Sequence, residues 1–153
     1  MTPKEYDMWS ERVFDIYTGM WRWIKEHLEE LRDRCCFVYD AKKEYLEKKI
    51  KVSPEILKAF GYCVLCDSYE LCRFCKLRNC MSPFSSHTII KTFLNNGLYH
   101  GVPVSLDEAR AACDRIIEAH EELRAYPTQI FFNRLEEVAD AESTEAENEN
   151  KEC

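Results

Sequence analysis

The residues best equipped for chemistry are five cysteines within one short segment: Cys63, Cys66, Cys72, Cys75 and Cys80. Their spacing is C-x2-C-x5-C-x2-C-x4-C. A two-residue spacer lets both sulfurs of a pair reach one ion within a single turn. Tetrahedral zinc, with Zn–S bonds of about 2.3 Å, needs sulfurs roughly 3.8 Å apart. The linker between the pairs can stretch to about 17 Å, so it permits closure. Four thiolates leave a zinc centre doubly negative, and Arg73, Lys76 and Arg78 lie within the segment to offset that charge.

The pattern predicts a metal more firmly than it names one. The gap between the pairs is too short for a ribbon-type zinc site, which has 15 to 20 residues there. The bacterial ferredoxin run C-x2-C-x2-C-x3-C-P is absent. Ligand preference favours zinc, with a four-cysteine iron–sulfur cluster as the alternative. Which four of the five cysteines bind is open. His87 and His100 are further candidates for a mixed site, although His87 also reads as an early-helix surface residue and His100 as a loop residue beside Gly101.

Two C-x2-C pairs, an aliphatic residue after the second (Leu77), one more cysteine and then a helix are similar to small uncharacterised bacteriophage proteins. The resemblance covers residues 63–94. Those relatives carry Gly ahead of the last cysteine of the second pair and Pro after it; here Arg73, Phe74 and Lys76 stand at those places. The resemblance implies a phage or mobile-element origin and no particular activity.

Elsewhere the chain offers little reactive chemistry. No H-E-x-x-H, G-x-S-x-G or Gly-rich phosphate loop is present. The zinc-deaminase signature needs H-x-E ahead of P-C-x-x-C; His27-Leu28-Glu29 matches the first letters, but neither cysteine pair follows a proline. Cys113 and His120 share a helical stripe about 10 Å apart, too far for a nucleophile pair, and read as core. Adjacent Cys35 and Cys36 read as small buried hydrophobes. A non-enzymatic protein is expected.

Of 153 residues, 46% are hydrophobic and 12% aromatic, enough for one domain with a real core. The net charge of −7 is local: Glu136 to Cys153 holds eight acids and one base, and the remainder balances. A neutral body argues against broad electrostatic binding of nucleic acid. Tyr69, Arg73, Phe74, Lys76 and Arg78 interleave aromatic and basic side chains, so a nucleic-acid-binding zinc knuckle stays as an alternative, not the favoured one. A protein partner is expected. No run of 18 apolar residues predicts a membrane span. The first residues do not read as a secretory signal, which predicts a cytoplasmic, reducing setting and thiols rather than disulfides; the nine cysteines are also odd in number.

The elements that must position the cluster read as helices. Thr2, Pro3 and Glu5 start the first, with Tyr6, Trp9, Val13, Ile16, Met20 and Trp23 on one stripe. Continuous to Arg34 it would be roughly 48 Å long, so either Gly19 kinks it or one end projects onto a partner. Trp9, Trp21 and Trp23 are anchors for an interface or for the core. Residues 38–50 read as a second, more charged helix or a continuation of the first, Ser53-Pro54-Glu55 starts a short one closed by Gly61, and Ser85–Asn96 follows the cluster. Residues 98–104 read as extended. Ser105 and Glu108 cap a helix that Pro127 stops, and Thr128–Val138 forms the last. Residues 139–153 read as a disordered acidic tail. The expectation is a mainly α domain over residues 1–138 with a zinc-binding insert at 63–80.

Overall fold

In a computed structural model the backbone is described for residues 1–65 and 85–151, and side chains through residue 144. The first helix, α1, spans Pro3–Glu26. Thr2 Oγ1 accepts from the Glu5 amide at 3.1 Å, and Pro3 occupies a position whose missing N–H costs nothing there. Val13, Phe14, Tyr17, Met20, Trp21 and Ile24 are buried. The apolar stripe is therefore rotated from the expected one: Trp9, Ile16 and Trp23 lie at its edge and Trp21 at its centre.

The helix breaks at His27, not at Gly19, and α2 (Leu28–Asp33) resumes at once. The Trp23 carbonyl accepts both the His27 amide, at 3.1 Å, and His27 Nδ1, at 2.7 Å. The Trp23 and His27 rings stack at 4.8 Å, which holds that geometry. The break turns the chain so that Leu28 and Leu31 stay buried, and no end projects as a single long helix. Gly19 has another job. A Cβ there would meet the Tyr45 hydroxyl at 2.8 Å. Gly19→Ala should gain about 1 kcal/mol of helix propensity yet yield no net stabilisation, because Tyr45 must shift. A rise in melting temperature matching the propensity gain would show that this close approach is unimportant.

The expected second helix is α3 (Val38–Lys43) running into a π-helical turn at Glu44–Lys49. The Ile50 amide reaches back to the Tyr45 carbonyl at 3.0 Å. The wider turn buries Leu46 and leaves Tyr45 half-buried against Trp23 and Gly19. The short helix α4 (Pro54–Phe60) starts at Ser53, whose Oγ accepts from the Ile56 amide at 3.4 Å, and ends at Gly61 with φ 57°.

Past residue 84, α5 (Ser86–Leu94) is capped by Ser85. The extended segment is a two-stranded antiparallel hairpin, β1 (Leu98–Tyr99) and β2 (Val102–Pro103). Its turn residues His100 and Gly101 both have positive φ, 50° and 81°, the geometry that matches the twist of tight hairpins. Then α6 (Leu106–Ala125) starts at Ser105, whose Oγ accepts from the Glu108 amide at 3.1 Å. α1 packs along α6, α6 carries α5 on another side, and α5 meets α2.

The last helix, α7, spans Gln129–Lys151 and packs on α4 and α1. Phe131, Leu135 and Val138 are buried, as the periodicity predicts. The helix does not end at Val138, however, and over residues 139–144 helix replaces the expected disorder. Glu142 is tied there to Arg12 at 2.6 Å and to Ser53 Oγ at 3.3 Å, partners that composition alone does not reveal. Mainly helical architecture is thus observed. No described helix is long and apolar enough to cross a membrane.

Candidate metal centre

Of the five clustered cysteines, Cys63 is described; Cys66, Cys72, Cys75 and Cys80 lie outside the described residues, as do Tyr69, Arg73, Phe74, Lys76 and Arg78. Among the described residues no three metal-ligating side chains gather. What is visible is how both ends of the segment are fixed. On the entry side Gly61 closes α4 with its amide on the Leu57 carbonyl at 2.8 Å, Cys63 is half-buried, and Val64 and Leu65 are buried in the core. On the exit side Ser85 and Ser86 are buried. Ser85 Oγ accepts from the Thr88 amide at 3.1 Å, and Ser86 Oγ accepts from Arg115 Nε at 3.1 Å. The segment thus leaves and re-enters the same helical core.

His87 sits at the second position of α5, on this exit side. It is not the surface residue expected. Its ring lies perpendicular to that of Trp21, centroids 5.2 Å apart, and its Nδ1 is buried without a hydrogen-bond partner. Burial pushes its pKa down to about 4, helped by the Lys42 ammonium and opposed by Cys63. Lys42 is itself 8% exposed, with Nζ 5.1 Å from the Trp21 ring centroid. His87 and Lys42 therefore meet on Trp21, a grouping that only tertiary packing creates.

His100 lies at the exposed hairpin turn, with its ring 4.3 Å from that of Tyr99. Cys35 and Cys36 are not the buried pair expected: Cys35 is exposed, with φ 52°, and Cys36 is half-buried. They follow α2, where Cys35 takes the left-handed backbone and the Cys36 amide closes back on the Leu31 carbonyl at 3.0 Å.

Cys113 and His120 are core residues, both fully buried on α6. Burial raises the Cys113 thiol to about 12, assisted by Asp114 and opposed by Lys25, so it is not a nucleophile at neutral pH. His120 Nδ1 donates to the Ile116 carbonyl at 2.8 Å, and its Nε2 is buried without a partner. Sequence periodicity placed this histidine correctly; nothing in it signalled the unsatisfied nitrogen.

No family model matches the chain, and no curated protein or solved structure matches it.

Proposed function

We propose that this is a non-enzymatic, zinc-stabilised helical protein that docks a macromolecular partner, in a cytoplasmic setting and of phage or mobile-element origin. The observation that carries the metal is the paired C-x2-C spacing of Cys63, Cys66, Cys72 and Cys75, with Cys80 as a fifth thiol, in a segment whose two flanks are buried in one core. A metal there ties α4 to α5. Holding those flanks against the same core shortens the search that thiolates must make to converge on one ion.

The partner reading draws on exposed aromatic side chains beside the helical core. Phe37 and Tyr39 are 59% and 56% exposed, and Tyr39 lies against Tyr62 at 5.1 Å. Large apolar side chains in water are the anchors that interfaces use. Trp21, an anchor candidate by sequence, is 1% exposed and serves the core instead.

Elemental analysis of the purified chain tests the metal: one zinc per chain supports the proposal, and an iron-loaded brown protein replaces it with an iron–sulfur reading. Replacing both Phe37 and Tyr39 by Ser should leave the melting temperature within a few degrees and abolish retention of whatever protein the wild-type chain specifically captures. Equal capture by both chains removes these aromatics from the docking surface. Tight oligonucleotide binding that weakens with salt would favour the zinc-knuckle alternative.

A further inference from the structure

The surface around Phe37 also indicates what kind of partner it takes. We propose that the cleft following α2, with Phe37 and Tyr39 beside it, docks an acidic peptide segment of a partner protein, one that carries apolar anchors among its carboxylates. This assignment rests on the docking reading above and gives the partner its chemistry.

The first support is a residue that its helix does not explain. Phe37 occupies the N-cap of α3 and makes no side-chain hydrogen bond there, a position that Ser, Thr, Asp or Asn normally fills. Its ring is mostly exposed. Neither capping nor core packing accounts for an aromatic at this place.

The second is the cleft. It encloses about 600 Å³, and Arg34, Asp40, Lys43, Glu44 and Lys48 are among its lining residues. Cys36, which also lines it, immediately precedes Phe37. Tyr39 and Lys43 stand four residues apart on α3, hence on one face of the helix. Aromatic surface and cleft therefore adjoin.

The third is charge. Glu44 is held by Arg34 at 3.0 Å, and Glu47 accepts from the Tyr62 hydroxyl. Lys43 and Lys48 are exposed and make no ion pair among the described residues. From Arg34 to Lys51 the chain holds six bases and three acids, although its net charge is −7. Carboxylates on a partner are drawn to this stretch rather than to the rest of the chain.

Two other occupants fit less well. A nucleic-acid strand is charged at every phosphate and needs a run of cations, whereas Lys43 and Lys48 are interleaved with Asp40, Glu44 and Glu47. The acidic end of a second copy, residues 139–153, suits the lysines but has no large apolar residue for the aromatics. A peptide can set its acids against the two lysines and keep apolar side chains for Phe37 and Tyr39.

Selection from a random-sequence peptide display library against the full chain should return peptides that combine Asp or Glu with Leu, Phe, Trp or Tyr. Lys43→Glu with Lys48→Glu should weaken the best of them on the order of tenfold, and raising the salt from about 50 to about 500 mM should narrow that difference. Phe37→Ser with Tyr39→Ser should abolish binding. Selected peptides that need Phe37 and Tyr39 but show no excess of acids overturn the acidic partner while leaving the docking surface intact. A selection in which no peptide depends on Phe37 and Tyr39 overturns both. A single-stranded oligonucleotide that displaces the peptides and binds more tightly, or a concentration-dependent dimer broken by Phe37→Ser, gives the surface to another occupant and overturns the proposal. The composition of the selected peptides is read on the wild-type chain, so a misfolded variant does not rescue it.

Discussion

Stripping the proposed zinc should cost the chain a stability comparable to the whole of what holds it folded. A structural zinc contributes about 10 kcal/mol in small zinc peptides, against a total of roughly 8 to 20 kcal/mol for a domain of this length. The loss falls on a defined place. Without the proposed ion, no metal bridge would offset the closure entropy of the segment that joins α4 to α5. The buried flanks at Val64, Leu65, Ser85 and Ser86 would then be held by packing and by the Ser85 and Ser86 hydrogen bonds. Chelation, or Cys63→Ser combined with Cys72→Ser, should therefore lower the melting temperature by tens of degrees or remove the cooperative transition. Cys35→Ser with Cys36→Ser is the control. Cys35 is exposed and Cys36 half-buried, so that change should stay within about 0.5 kcal/mol. Equal melting of the native and chelated chains would mean that any bound metal is not structural.

Acid should weaken the fold before the carboxylates titrate, and His120 is, with His87, a described cause. Its ring is fully buried, and burial holds its pKa near 4, with the charges of Lys42 and His87 adding to the effect. The unfolded chain takes up that proton near pH 6.5. Above 6.5 neither state is protonated and the contribution is constant. Between 6.5 and 4 the unfolded state binds more protons, so stability falls as pH falls. The full effect at this site is about 3 kcal/mol. His120→Leu removes the titration, and it also removes the orphaned Nε2 while leaving Phe14, 6.3 Å away, an apolar neighbour. Its stability should change by about 3 kcal/mol less between pH 6.5 and 4 than that of the wild type, as measured by denaturant unfolding. Parallel pH profiles for the two chains would remove His120 as the acid-sensitive group.

Local signals carried much of the fold. Thr2, Ser53, Ser85 and Ser105 each start a helix where the sequence places one, because a cap is an interaction between a side chain and its own backbone three residues on. The break at His27 was not legible, since it depends on a ring stacking and on one carbonyl shared by two donors. The π turn that brings Tyr45 to Gly19 depends on the two helices meeting. The extension of α7 depends on Arg12 and Ser53, remote in sequence from Glu142.

The site divides in the same way. The residue types and spacing that suggest a metal stand in the sequence around Cys63. The packing of His87 does not, because an early-helix histidine looks the same whether it faces water or Trp21. Its orphaned Nδ1 becomes visible only when α5 is laid on α1 through that contact.

Native mass spectrometry of the full chain tests the central claim most directly. The account predicts a single dominant species heavier than the polypeptide by one zinc ion, with the ion lost only as the charge distribution broadens toward that of an unfolded chain. A folded, narrow charge distribution at the bare polypeptide mass would contradict it.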